Sequence, residues 1–196
     1  VFVRDTIDDI DLTYSFGFRM PNVADMIDSL GDTFSKFESL SNPFLDIQRE
    51  KSSQIGEINQ DELSYMREKL LAQLQNPHLL NDALMCLLSQ PKYPENVPEN
   101  DEIGTGDIEA ALEEGYFIKL EPASRLLYST VEDELHFWAN GESLSISTAF
   151  SSVLKKVADG EVIALNEDLY DPEIFEDLAE LLNDSVLMLL PSEETE

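Results

Sequence analysis

Leu12-Thr13-Tyr14-Ser15-Phe16-Gly17-Phe18-Arg19-Met20-Pro21-Asn22, running on into Val23-Ala24-Asp25-Met26-Ile27-Asp28, is the stretch on which the fold turns. It alternates strictly up to Arg19 and then changes period. Side chains of a strand point to opposite faces with a period of two. One face therefore gathers Leu12, Tyr14, Phe16 and Phe18, and the other gathers Thr13, Ser15, Gly17 and Arg19. Beyond Met20-Pro21 the apolar residues fall at helical spacing, with Asn22 placed to cap and Asp25 at the third helical position. Periodicity leaves two possibilities open for the strand. It is a half-buried strand with a solvent face, or one whose small face, two hydroxyls and a bare glycine, lines a ligand pocket. Val1-Phe2-Val3 reads as its partner, joined through a turn over residues 5–11. A bulky apolar strand so near the first residue is expected to close a sheet whose other strands belong to a longer protein.

The 196 residues suffice for one large domain or two small ones with real cores. Hydrophobic residues make up 42%, with ten Phe and six Tyr, which excludes a disordered acidic tail. Twelve Lys and Arg stand against 41 Asp and Glu, for a net charge of −29. Such a field repels phosphate backbones, so no nucleic-acid partner is expected, and a basic protein is the partner it suits. The plainer alternative is a solvated surface kept soluble by charge. The single Cys86 sits in the apolar run Ala83–Leu88. It reads as a core residue of a chain from a reducing, cytoplasmic setting. No apolar run approaches the roughly 20 residues of a membrane helix, so no membrane partner is expected. The opening residues lack the features of a signal peptide.

Pattern divides the chain into strand material (1–20), a helical region (21–90), a linker (91–104), a mixed unit (105–191) and a tail (192–196). The first helix carries Val23, Met26, Ile27, Leu30, Phe34, Phe37 and Leu40 at helical spacing and stops at Asn42-Pro43. A second begins near Asp61, with Leu63, Met66, Leu70, Leu71 and Leu74 along one stripe. Asn76-Pro77 opens a third that runs through Leu88. Three helices cannot bury this much apolar surface among themselves, so a homodimer is expected through this region. Gln90–Asn100 holds three prolines in a polar setting and reads as the linker. Beyond it, the spacing predicts a helix over Thr105–Glu114 stopped by Gly115, and strands at 116–120, 125–129 and 135–139. A turn at Asn140-Gly141, a helix over 145–158, another from Asp171-Pro172 to Asn183 and a short apolar run at 186–190 complete it. Helices around a small sheet fit a winged-helix-like unit, and the fold class is α+β.

Residues that could carry chemistry form no complete site. His78 and His136 have no His or Cys companion at ligand spacing and read as structural. No two carboxylates are marked as a catalytic pair. Gly104-Thr105-Gly106 follows no strand and lacks a third glycine, so it is a loop and cap. Ser143, Ser145 and Ser147 form a capping region without a nearby base.

The segment Leu12–Asn22 closely resembles the last barrel strand and exit turn of the bacterial JmjC-type (cupin-4) ribosomal oxygenases. The resemblance continues at Asp107-Ile-Glu-Ala-Ala-Leu-Glu-Glu-Gly115, at Phe137-Trp-Ala-Asn-Gly-Glu142, and from Leu169-Tyr-Asp-Pro to Leu190. It implies the final strands of a double-stranded β-helix barrel, a helical dimerisation region and an acidic C-terminal winged helix. It also implies Fe(II) and 2-oxoglutarate as cofactors, and hydroxylation of an arginine of a large-subunit ribosomal protein. By the same resemblance Thr13 and Ser15 face the cofactor pocket. The family's iron ligands are a His-x-Asp pair and a later His. No His-x-Asp occurs in this sequence, and the later His is expected ahead of Val1. This chain alone is therefore expected to bind no cofactor and to have no hydroxylase activity. The other function class that fits the charge is a stand-alone acidic module that binds basic proteins without catalysis; the unaccompanied opening strand argues against it.

Overall fold

The computed structural model describes residues 2–7, 10–15, 21–36, 56–100 and 102–191, the first two segments and Lys36 as backbone alone. β1 (Phe2–Ile7) and β2 (Ile10–Ser15) form an antiparallel hairpin, with Arg4 opposite Thr13 and Phe2 opposite Ser15. Both strands extend into the span expected as a turn, because Thr6, Ile7 and Ile10 are β-branched residues that favour extended backbone. Phe16, Gly17, Phe18 and Arg19 lie outside the described residues, as do Phe37, Leu40 and the stop at Asn42-Pro43.

α1 (Val23–Lys36) opens on the expected reciprocal cap. The Asp25 N–H donates to Asn22 Oδ1 at 3.0 Å, and the Asn22 N–H donates to Asp25 Oδ2 at 3.0 Å. α2 (Gln60–Leu74) starts one residue earlier than Asp61, because Asn59 and Glu62 cap each other in the same way. α3 (Pro77–Ser89) is capped by Asn76, whose side chain accepts from the His78 N–H at 3.1 Å. α1 packs on α3 where Ala83 has no exposed surface, and Ser29 Oγ donates to the Ala83 carbonyl at 2.8 Å. The small side chain is what allows that approach. α2, by contrast, buries none of its residues, and Leu63, Met66, Leu70 and Leu71 all stay exposed.

The remaining elements are α4 (Thr105–Glu113), β3 (Phe117–Leu120), β4 (Leu126–Val131), β5 (Glu134–Ala139), β6 (Glu142–Leu144), α5 (Thr148–Ala158), β7 (Ile163–Ala164), α6 (Pro172–Asn183) and β8 (Leu187–Leu190). They form two antiparallel three-stranded sheets, β7-β3-β8 and β4-β5-β6. The closing apolar run is thus a strand, pairing Leu187 with Leu120 and Leu190 with Phe117. The core collects Phe150, Leu154 and Val157 from α5, at spacings of one and two helical turns, and Ile174, Phe175, Leu178, Leu181 and Leu182 from α6. Ile108 of α4, Ile118 of β3 and Phe137 of β5 complete it. Gly115, at φ +75°, ends α4 in the left-handed region. Asn140 and Gly141, at φ +52° and +93°, make the two-residue turn between β5 and β6 that the sequence signals. Asp177 of α6 is nearly buried and accepts the Ser147 N–H at 2.9 Å, which fastens α6 to the start of α5. Ser147 in turn caps α5 through the Phe150 N–H.

The proline-containing segment 90–100 is tied to the last unit at several points. Asn100 Nδ2 donates to the Leu182 carbonyl at 2.8 Å, and Ser185 Oγ donates to the Pro98 carbonyl at 2.6 Å. Three residues further on, Asn183 accepts the Ile103 N–H and donates to the Ile103 carbonyl.

Candidate functional site between the third helix and the wing sheet

The sheet β4-β5-β6 has two faces made by strand alternation. Phe137 and Ala139 turn into the core, so Glu134, His136 and Trp138 occupy the opposite face. That face is covered by α3. Trp138 Nε1 donates to Asp82 Oδ1 at 2.7 Å, and the Gly141 N–H donates to Ser89 Oγ at 3.1 Å. A Cβ on Gly141 would stand 3.1 Å from Cγ of Gln90, a close contact at a position whose φ of +93° already favours glycine. α3 is therefore held on the sheet from its middle to its C-terminal end, and Trp138 is only 6% exposed.

Cover is incomplete near the start of α3. The β4–β5 hairpin turns at Glu132 and Asp133, at φ +52° and +69°, and its end leaves an open groove of about 790 Å³ against α3. His78, Asp82, Glu132, Glu134, His136 and Trp138 are among the residues that line it. The His136 and Trp138 rings lie 6.3 Å apart at 37°. His78 and His136, read from the sequence as structural, are both exposed, and they share this groove despite their separation along the chain. The pair Asp82–Trp138 was invisible in the sequence. The only signal was the chain's single Trp placed at a polar-face position of a strand. Among the described residues no group of three or more His, Cys, Asp or Glu is placed to hold a metal ion.

Thr13 and Ser15 lie on β2, and their hairpin joins neither of the two sheets of the last unit among the described residues. A second cleft of about 300 Å³ lies between α1 and the end of α3, where Asp25, Asp28 and Asp32 share the walls with Lys92 and Arg125. Two phenols are tied to carboxylates. Tyr128 Oη donates to Asp159 at 3.0 and 3.3 Å, and Tyr170 Oη donates to Glu109 at 2.8 Å. The bond to a carboxylate favours the neutral phenol, so both tyrosines titrate above their ordinary value. No described helix is long and apolar enough to cross a membrane.

Comparison with known proteins places these features. The family model for the ROXA-like winged helix matches residues 71–188, beginning inside α2 and so including all of α3. That boundary agrees with the docking of α3 on the sheet. A probable ribosomal oxygenase of Haemophilus influenzae is 31% identical over 183 residues, covering 85% of this chain and 45% of the relative. The structure of YcfD, a ribosomal oxygenase from Escherichia coli in complex with cobalt and 2-oxoglutarate, superposes with a TM-score of 0.71 at 24% identity. That match covers 90% of this chain and 48% of YcfD. The YcfD complex with cobalt and succinic acid gives 0.70 at 23% identity, over 91% and 49%. These structures share the fold. The chain spans about half the length of the relatives it matches.

Proposed function

We propose a function from one premise: this chain belongs to the ROXA-like winged helix family. It is the C-terminal portion of an Fe(II)- and 2-oxoglutarate-dependent oxygenase that hydroxylates an arginine of a large-subunit ribosomal protein. The observation that carries this is the extent of the match. A relative named a probable ribosomal oxygenase matches 85% of this chain, more than the winged-helix model's residues 71–188 alone. A stand-alone acidic module is not favoured by such relatives.

Within that enzyme the β1–β2 hairpin contributes the final strands of the double-stranded β-helix, and Thr13 and Ser15 face the pocket for 2-oxoglutarate and iron. The iron ligands come from residues this chain does not supply, since its sequence has no His-x-Asp. The chain's own contributions are a pocket wall, a dimer contact through residues 21–90 and an acidic surface. A net charge of −29 draws a basic ribosomal protein toward the enzyme and repels nucleic acid. The setting is cytoplasmic.

The test compares two polypeptides for 2-oxoglutarate turnover with added Fe(II). The product of the whole reading frame that contains this chain turns over 2-oxoglutarate, and the 196-residue chain does not. Turnover by the chain alone contradicts the proposed division of labour, and silence of the whole product contradicts the proposed reaction.

A further inference from the structure

The groove beside the wing tip takes no part in the function proposed above. His136 offers an exposed ring in it, beside the nearly buried Trp138, and the carboxylates of Asp82, Glu132 and Glu134 also line it. No lysine or arginine is among the residues that line it. The cleft beside α1 differs in this respect, because Lys92 and Arg125 stand in the same walls as its three aspartates. One cavity carries its own counter-charge and the other does not. Glu132, Asp133 and Glu134 at the hairpin tip repel phosphate, which removes a nucleic-acid strand as an occupant. A volume of about 790 Å³ is that of a site for a drug-sized ligand, or a long side chain with its flanking backbone.

The geometry points to an arginine side chain, within an extended segment of a basic protein, as the occupant of this groove. A guanidinium is flat and weakly hydrated, so it stacks on the exposed His136 ring while its fork of N–H donors meets the carboxylates of Glu132 and Glu134. A lysine ammonium meets the charge but gains less from a planar ring. The site is read from this chain alone and needs neither iron nor 2-oxoglutarate. Its failure and that of the proposed enzymatic function are therefore separable.

Trp138 is the only tryptophan and its ring lies 6.3 Å from that of His136, so intrinsic fluorescence reports on the groove. The 196-residue chain is titrated with a short labelled arginine–serine peptide and with its lysine–serine counterpart, following peptide anisotropy and tryptophan emission. The arginine peptide is expected to change the emission of Trp138 and to bind about threefold or more tighter than the lysine peptide. Glu132→Gln with Glu134→Gln, both on the exposed hairpin end, is expected to weaken it about fivefold or more. Glu176→Gln with Glu180→Gln, on the exposed side of α6, removes the same charge elsewhere and is expected to weaken it less than about twofold. Unchanged Trp138 emission, equal affinity for the two peptides, or equal loss in the two double variants overturns the site. The last result would mean only a diffuse attraction between polyanion and polycation.

Discussion

Removing the acceptor beneath Trp138 should loosen the third helix from the wing sheet by a measurable and partly non-additive amount. The indole N–H lies 2.7 Å from Asp82 Oδ1, and the indole itself is 6% exposed. Asp82→Ala leaves that donor without a partner in a site with little water, which costs about 1–3 kcal/mol. Trp138→Phe removes the donor instead. Asp82 is half-buried and recovers hydration, so this variant loses the bond and some buried area, about 1–3 kcal/mol. Hydrogen bonds to charged groups contribute about 1.5–3 kcal/mol, and partial exposure of Asp82 places the coupling near the lower end, about 1–2 kcal/mol. The assay is urea unfolding of the parent, the two single variants and the double variant, followed by far-ultraviolet circular dichroism. The double variant should be more stable than the sum of the two losses by that coupling. Additivity within about 0.5 kcal/mol would refute the bond as a link between α3 and β5. A second readout comes from Asp82→Ala alone, whose tryptophan emission should shift as the indole loses its partner.

Leu178 of α6 has no exposed surface, and Leu178→Ala should destabilise the fold by about 2–5 kcal/mol in the same urea assay. A loss below about 1 kcal/mol would show that the α6 core is packed differently. Tyr128 and Tyr170 should ionise above the ordinary tyrosine range in an alkaline absorbance titration, in a step that Tyr128→Phe with Tyr170→Phe abolishes. Because their folded pKa values are raised, the stability they contribute is complete below the unfolded value of about 10 and is lost as pH rises through the folded value. Their titration together with the bulk would contradict the carboxylate bonds. Sedimentation should show a dimer that Met66→Glu with Leu70→Glu converts to monomers, since both residues lie on the exposed apolar side of α2. A monomeric parent chain would remove the proposed contact.

Local chemistry made most of the elements legible in the sequence. Asn22 with Asp25, Asn76-Pro77, Ser147 and Asp171-Pro172 all mark helix starts, and Gly115 and Asn140-Gly141 mark turns, because each satisfies or redirects a few neighbouring backbone groups. β6 and β7 were not legible, since strands of three and two residues are too short to show a period. The cap at Asn59 was hidden in a polar stretch where many residues could serve. Tertiary pairing was the main loss. The bond between Asp82 and Trp138 joins a helix to a strand 56 residues away, and nothing in either local pattern announces it. Pro91, Pro94 and Pro98 give segment 90–100 the composition of a linker. The fastening of Pro98 and Asn100 depends on Ser185 and Leu182, which lie far along the chain. The groove was missed for the same reason, because its histidines come from a helix start and a strand that only the fold brings together. Thr13 and Ser15 were named from resemblance, and the hairpin register gives their backbone partners, Arg4 and Phe2.

The most direct test of the proposed reaction is mass spectrometry of basic large-subunit ribosomal proteins treated with the whole-frame polypeptide that contains this chain, Fe(II) and 2-oxoglutarate. The expected result is one added oxygen on an arginine, dependent on 2-oxoglutarate and absent when the 196-residue chain is used alone. Unmodified arginine throughout, with active cofactors and folded substrate, would contradict it.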